Sequence, residues 1–177
     1  MNGKNMATAQ VTPNHDSVQV EILIAAPPAR VFQAITDPAQ TTQWWGQKGL
    51  YRITKSHADV RPGGTWYTSG VGSDGTEFTV SGTYLEIDPP RLLVHTWIPS
   101  YSGLQETTVR WELEPHEVHG LHGSGTHRVG TGTMVRVRHS GFAGHLEQAQ
   151  SHQNGWGASL GWLKSFIETG ETFQMRK

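Results

Sequence analysis

The chain has 177 residues, a formal net charge of −1, no cysteine, 21 glycines, 10 histidines and 7 tryptophans. This length allows one compact domain that needs neither disulfides nor a structural metal. The absence of cysteine excludes disulfide scaffolds, thiol nucleophiles and thiolate metal sites. Lysine and arginine are scattered among acidic residues, which argues against a nucleic-acid partner because such proteins carry a basic stripe.

The predicted organisation is one domain of a soluble, cytoplasmic protein. No apolar run reaches the roughly 20 residues that span a bilayer, and residues 1–12 lack the hydrophobic stretch of a signal peptide. Residues 1–16 are small and polar, so we expect a disordered N-terminal segment. The predicted domain covers residues 17–170, and residues 171–177 form a C-terminal tail.

Strand and helix signals follow one another in a clear order. Alternating apolar residues from Ser17 to Ile24 predict a first strand. Prolines at Pro28 and Pro38, the second preceded by the capping side chain of Asp37, predict two short helices that end at Gly46. Strand patterns separated by turns of glycine and proline then occupy residues 51–60, 66–71, 78–87, 92–98, 107–114 and 133–139.

Residues 115–132 interrupt this pattern with four histidines and five glycines, which predicts a long loop. His116, His119 and His122 are three residues apart, a spacing that would place three imidazoles on one face of a helix for a metal ion. The neighbouring glycines disfavour such a helix. We therefore predict no metal site and no cofactor.

The longest helical pattern runs from about Gly144 to Thr169, with Trp156 and Leu160 on its apolar face. Three glycines interrupt it although each costs up to about 1 kcal/mol relative to alanine. They are Gly155, Gly157 and Gly161. Either the helix approaches the sheet closely at these positions, or the glycines leave room for a ligand.

These elements predict an α+β fold in which an antiparallel sheet of about seven strands curves around the long C-terminal helix. A parallel sheet is excluded because its strands would need helical crossovers that the chain lacks. An antiparallel sheet packed on the helix buries every apolar face named above.

Seven short motifs occur in register along the predicted domain. They are Ile24-Ala25-Ala26-Pro27-Pro28-Ala29-Arg30-Val31-Phe32, Thr36-Asp37-Pro38 with Trp44-Trp45-Gly46, Asp59-Val60-Arg61-Pro62-Gly63-Gly64, Gly82-Thr83-Tyr84-Leu85-Glu86-Ile87-Asp88-Pro89-Pro90, Thr96-Trp97, His139-Ser140-Gly141-Phe142 and Gly155-Trp156. Over residues 18–169 the chain resembles the SRPBCC (START-like, birch-pollen-allergen-like) helix-grip superfamily. Within it, the chain is similar to the C-terminal domain of the activator of the heat-shock protein 90 ATPase. The resemblance implies a deep apolar cavity between the sheet and the long helix.

Strand parity indicates which side chains would face this cavity, because alternate residues of a strand point to the same face of the sheet. The helix supplies the remaining lining. The predicted cavity residues are Trp66, Phe78, Tyr84, His95, Trp97, Trp111, His139, Trp156 and Leu160. Such a lining, mostly apolar with a few polar groups, is typical of a small-molecule site. The alternative is that these side chains only fill the core.

Three functions remain open. The first is the binding of a small apolar or aromatic ligand, with His95, Tyr84 and Trp97 orienting it. The second is an enzyme of the cyclase or hydrolase kind, using His95 or His139 with Tyr84 as acid or base, although no catalytic motif is present. The third is a co-chaperone-like interaction domain, as the name of the similar branch suggests.

Three further features have a structural and a functional interpretation. His139 either orients the corner before the long helix or transfers a proton. Glu86 is expected to form a salt bridge at the end of its strand. The pair Trp44 and Trp45 is a candidate contact of a homodimer or a gate for a ligand, with a core role as the alternative.

Overall fold

The described residues form one antiparallel sheet of nine strands. The computed structural model describes residues 6–101, 103, 105–122 and 125–173. The strands are β1 (Thr8–Val11), β2 (Ser17–Ile24), β3 (Gly46–Gln47), β4 (Tyr51–Ala58), β5 (Thr65–Gly72), β6 (Glu77–Asp88), β7 (Leu92–Pro99), β8 (Thr107–His122) and β9 (Gly125–Ser140). Their order in the sheet is β1-β2-β9-β8-β7-β6-β5-β4-β3.

Three helices complete the fold: α1 (Pro28–Thr36), α2 (Pro38–Trp44) and α3 (Leu146–Thr169). The curved sheet packs around α3, which confirms the predicted α+β architecture with a long C-terminal helix and two short helices after the first inner strand. Two strands more than expected are present because β1 and β3 extend the two edges of the sheet.

The two short helices begin where the prolines predict. Pro28 and Pro38 occupy the first turns of α1 and α2, where a missing N–H removes no hydrogen bond. The Asp37 side chain accepts a hydrogen bond of 3.0 Å from the backbone N–H of Ala39 and so caps α2. The indole N–H of Trp44 then donates to the carbonyl of Ala34 at 2.8 Å, which fixes the two helices against each other.

Alternation along β8 and β9 confirms the predicted inner and outer faces. Trp111 and Val137 are paired across the two strands and both are buried in the core. On the outer face Arg136 lies opposite Glu112 and forms ion pairs with Glu21 and Glu114. These ion pairs are exposed, so they stabilise the fold by less than about 1 kcal/mol each.

The prediction of a long loop over residues 115–132 is wrong, because β8 and β9 continue as a hairpin through most of this stretch. His116 pairs with Gly132, and the ladder continues to the pair His122 and Gly125. Backbone pairing with a neighbouring strand satisfies the N–H and C=O groups without any apolar period in the side chains. The three histidines lie on a strand and not on a helix, as the neighbouring glycines indicated, and the side chains of His119 and His122 lie outside the described residues.

The N-terminal segment is also more ordered than predicted. Residues 8–11 form β1, in which Val11 pairs with Val18 of β2, whereas residues 1–5 lie outside the described part of the chain. At the other end, the carbonyl of Phe173 accepts a hydrogen bond of 3.1 Å from the backbone N–H of Lys48. Residues 174–177 of the predicted tail lie outside the described residues. Within the described chain, no helix has both the length and the apolar character needed to cross a bilayer.

Gly82 lies where β6 has no room for a side chain, and this gives a first prediction. A Cβ there would overlap the Thr96 carbonyl oxygen and lie 2.7 Å from Trp66 Nε1. We expect Gly82→Ala to lower the free energy of unfolding by about 1–3 kcal/mol, because the strands would have to separate. Urea unfolding measures the change.

Gly157→Ala in α3 is the matched control, since a Cβ at Gly157 meets nothing within 4 Å. This change is expected to be neutral or to stabilise the protein by up to about 1 kcal/mol through helix propensity. Equal stability of the Gly82→Ala variant and the unaltered protein would contradict the close packing inferred at Gly82.

Candidate functional site

A cavity of about 620 Å³ lies between α3 and the inner face of β4 to β7. We call it the main cavity. Its volume falls within the range of about 300–1,000 Å³ that is usual for small-molecule sites. Its lining consists of Trp45, Leu50, Tyr51, Ile53, Thr68, Gly72, Thr76, Phe78, Val80, Trp97, Tyr101, Gln148, Ser151, His152, Gly155, Trp156 and Ser159. Aspartate, glutamate, lysine and arginine are absent from this described lining.

Aromatic rings form much of the wall. The Trp97 ring centroid is 5.7 Å from that of Trp45 and 5.5 Å from that of Trp156, so three indoles are in contact around one side of the main cavity. Trp45 stacks on Trp44, which is buried in the core. The pair predicted as a surface contact or a core element therefore contributes one ring to the core and one to the cavity wall.

The main cavity opens to solvent beside Leu50 and Tyr101. Both residues line it, and they are 52% and 58% exposed. Because these two lining side chains are exposed, the main cavity is open to solvent beside them. Deeper inside, the indole N–H of Trp45 donates to the hydroxyl of Tyr51 at 3.2 Å, and burial raises the pKa of Tyr51.

The glycine in the middle of α3 leaves space in the main cavity. Gly155 lines the cavity, and a Cβ built on it would meet nothing within 4 Å. The same is true of the space around Gly157 and Gly161, although neither lines the cavity. Close approach of the helix to the sheet is therefore the wrong explanation for these glycines. The alternative explanation, space beside the helix, remains for Gly155.

The nine residues predicted for the cavity lie in three different environments. Those that line the main cavity are Phe78, Trp97 and Trp156. Those that line only a separate hollow of about 40 Å³, called the inner hollow below, are Trp66, Tyr84, His95 and Trp111. Those that are fully buried and line neither space are His139 and Leu160. The inner hollow has room for water but not for an organic ligand.

His139 is held by hydrogen bonds on both ring nitrogens. The Trp156 indole N–H donates to His139 Nδ1 at 3.0 Å, so the ring proton must be on Nε2. His139 Nε2 then donates to the Thr107 hydroxyl at 2.7 Å, and this hydroxyl donates to the carbonyl of Trp97 at 3.2 Å. Burial holds the pKa of His139 well below its usual range, so the ring is neutral and serves as a structural link.

His95 is held in a similar way. Its Nδ1 donates to the carbonyl of Thr96 at 3.0 Å, and its Nε2 accepts from the indole N–H of Trp111 at 3.2 Å. Burial lowers the pKa of His95 to about 4. Neither His95 nor His139 has a nitrogen available for a ligand, and the Tyr84 hydroxyl, whose pKa burial raises to about 12, faces the inner hollow.

His152, on α3, was not among the predicted site residues although it lines the main cavity. Its Nδ1 donates to the carbonyl of Gln148 at 2.8 Å, which leaves Nε2 as an acceptor. This Nε2 is buried and has no hydrogen-bond partner among the described residues. The spacing to Trp156, one helical turn further on, was the sequence signal that could have identified it.

Two more lining residues contain such an atom. Trp97 Nε1, which can only donate, and Thr68 Oγ1 are buried without a protein partner in the described part of the chain. A buried polar group that lacks a partner costs about 1–3 kcal/mol. Three residues of the cavity lining, Thr68, Trp97 and His152, therefore each contain a buried polar atom without a partner in the described protein. No group of three or more metal-ligating side chains occurs among the described residues.

The arrangement of a curved antiparallel sheet around one long C-terminal helix, with a cavity between them, defines a helix-grip protein of the SRPBCC type. The chain belongs to the Activator of Hsp90 ATPase homolog 1-like protein family, whose model matches residues 25–121. The search of curated proteins found no match.

Several solved structures share the fold. A Chromobacterium violaceum protein is 22% identical over 86% of this chain and 98% of its own, with a TM-score of 0.69. The AHSA1 protein from Silicibacter pomeroyi is 24% identical over 88% of this chain and 99% of its own, with a TM-score of 0.68. DynU16, a protein in the dynemicin biosynthetic locus, is 21% identical over 90% of this chain but only 49% of its own, with a TM-score of 0.63.

Burial of neutral histidines predicts how stability depends on pH. The folded-state pKa of His95, His139 and His152 is lowered in each case, mainly by burial, so the unfolded chain takes up protons first as the pH falls. Stability should be complete above about pH 6.5 and should fall below it by about 1.4 kcal/mol per pH unit for each proton taken up. Urea unfolding between pH 7.5 and pH 5 measures this slope.

His95→Gln is the control for this prediction. The glutamine side chain can still accept from Trp111 but does not titrate, so the slope should decrease by about one proton. A slope that is the same in the variant, or stability that rises on acidification, would contradict the assignment of His95 as a buried neutral imidazole.

Proposed function

We propose that this protein binds a small, largely apolar ring-bearing molecule in the main cavity. The observation that carries the proposal is an aromatic cavity of about 620 Å³ that opens to solvent between the sheet and the long helix. A core that only needed filling would not retain this volume, because protein interiors are packed as densely as organic crystals.

Gly155 supports this proposal. A glycine inside a 24-residue helix costs up to about 1 kcal/mol relative to alanine, and nothing within 4 Å requires its small size. Gly155 lines the main cavity, and a Cβ at this position would stand in open space. Loss of helix stability in exchange for cavity volume is the pattern expected where a ligand must fit.

The groups that would orient the ligand differ from those predicted. His95 and Tyr84 were expected to contact it, but both face the inner hollow, and both nitrogens of His95 are bonded within the protein. Thr68, Trp97 and His152 replace them in the proposal, because each lines the main cavity and contains a buried polar atom that the described protein leaves unpaired. Only Trp97 belongs to both sets.

An enzyme of the cyclase kind in the same cavity is the second candidate. It would depend on His152, since this is the lining imidazole with an unpaired nitrogen. The fold shared with DynU16 is compatible with this reading but establishes no activity. The co-chaperone hypothesis gains support only from the name of the family.

Filling the main cavity from the helix tests the proposed function. We expect Gly155→Phe to weaken binding of the neutral fluorescent probe N-phenyl-1-naphthylamine by at least about tenfold, because the new ring would occupy the ligand's space. Fluorescence titration gives the dissociation constant. Tryptophan emission provides a second signal, since Trp45, Trp97 and Trp156 line the cavity.

Gly157→Phe is the matched control, because Gly157 lies on the same helix but does not line the main cavity. Its affinity for the probe should remain within about twofold of the unaltered protein. Equal losses in the two variants would place the probe elsewhere. Failure of the unaltered protein to bind any apolar ring compound would refute the proposed function.

A further inference from the structure

We propose that Trp97 forms the inner end of the main cavity and limits its ligand to compact ring compounds with short substituents. Compounds with long alkyl chains are excluded. The inference rests on the proposed function and adds the residue that sets the length of the ligand. It is carried by the position of the Trp97 ring between the main cavity and the inner hollow.

The main cavity and the inner hollow are separate spaces that share one wall. The residues that line both spaces are Trp45, Thr68, Trp97 and Trp156. Leu50 and Tyr101, at the solvent opening, line the main cavity but not the inner hollow. A ligand that enters beside them therefore reaches the shared wall before it can reach the inner hollow.

Trp97 contacts rings that belong to each of the two spaces. Its ring centroid lies 5.7 Å from that of Trp66 and 6.5 Å from that of His95, and both of these residues line the inner hollow but not the main cavity. It also lies 6.4 Å from the ring centroid of His152, which lines the main cavity but not the inner hollow. The indole of Trp97 therefore stands between the two spaces.

Further rings hold the Trp97 side chain in place. It is 5% exposed, and its centroid lies 5.7, 5.5 and 5.4 Å from those of Trp45, Trp156 and His139. A ring enclosed by other rings cannot change its rotamer without displacing them, because protein interiors are packed as densely as organic crystals. A ligand that reaches this wall therefore cannot push it aside.

Removal of the Trp97 ring would join the two spaces. The inner hollow of about 40 Å³ is too small for an organic ligand by itself. Together with the volume that an indole vacates, it would extend the main cavity beyond the present wall. The change breaks no hydrogen bond within the described protein, because Trp97 Nε1 has no partner there and the Trp97 carbonyl can still accept from Thr107.

The length of the main cavity determines which compounds test this wall. Its lining on α3 runs from Gln148 to Ser159, which is about 16 Å at a rise of 1.5 Å per residue. A suitable series is 4-alkylbenzamides with alkyl chains of two, four, six, eight and ten carbons. These compounds are uncharged, and the polar amide favours the solvent end of the cavity, so the chain extends inward.

Displacement of N-phenyl-1-naphthylamine gives the dissociation constant of each amide, once the affinity of each variant for this probe is known. In the unaltered protein we expect affinity to rise about fourfold per methylene and then to level off before the ten-carbon chain. In Trp97→Leu the rise should continue for at least two further methylenes. The ten-carbon amide should therefore bind this variant at least about tenfold more tightly than the unaltered protein.

Trp66→Leu is the matched control. Trp66 is also a buried tryptophan whose indole N–H lacks a partner in the described chain, but it lines only the inner hollow of the two spaces. This variant enlarges the inner hollow and leaves Trp97 in place, so affinity should level off at the same chain length as in the unaltered protein. The melting temperature of each variant is measured beside the titrations. If Trp97→Leu does not fold, Trp97→Phe replaces it, with an expected gain of at least about threefold for the ten-carbon amide.

The possible failures are distinguishable. This inference is overturned if affinity rises steadily to the ten-carbon amide in the unaltered protein, or if the chain-length limit is unchanged in a folded Trp97 variant. An equal extension in Trp66→Leu also overturns it. If the short amides or N-phenyl-1-naphthylamine still bind in those cases, the proposed function stands. If the unaltered protein binds neither the probe nor any amide, both fail.

Discussion

The hydrogen bond from Trp156 to His139 determines where the long helix lies on the sheet. It continues through Thr107 to the carbonyl of Trp97, so helix α3 is joined in sequence to β9, β8 and β7. Each donor in this series meets one acceptor. The neutral imidazole of His139 accepts from Trp156 through Nδ1 and donates to Thr107 through Nε2. Breaking any member would leave a buried polar group unpaired, which costs about 1–3 kcal/mol. The helix is thereby held in one orientation on an otherwise apolar surface.

The buried histidines are of two kinds, which differ in how many of their ring nitrogens are hydrogen-bonded within the protein. His95 and His139 have both ring nitrogens bonded within the protein, and each receives one of these bonds from a tryptophan. Their low pKa values follow from burial and need no catalytic explanation. His152, which lines the main cavity, differs because only Nδ1 is engaged and Nε2 has no partner among the described residues. All three rings are similarly buried. A structural histidine therefore differs from a candidate site histidine in whether its second ring nitrogen is hydrogen-bonded within the protein.

The hairpin of β8 and β9 shows how pairing overrides side-chain pattern. From His116 onward the two strands contain many glycines and histidines and no apolar alternation, yet the ladder continues to His122 and Gly125. Each strand serves as the hydrogen-bond partner of the other, so the backbone is satisfied without an apolar period in the sequence. β1 also pairs with the buried strand β2, and in addition its Ala9 and Val11 pack against the core.

Local rules in the sequence determined the fold class. The period of two along β8 and β9 assigned Trp111 and Val137 to the inner face, and proline with the capping carboxylate of Asp37 located the two short helices. Both signals depend on a few neighbouring residues, so they are visible in the sequence alone. Strand parity also placed Trp97 on the face of the sheet that lines the main cavity. It could not separate the main cavity from the inner hollow, because both lie on the same face of the sheet. Only the tertiary structure decided this, since the curvature of the sheet and the rotation of α3 set the space in front of each side chain. For this reason His152 and Thr68 line the main cavity, while His95 and Tyr84, with equally suitable parity, lie beyond it.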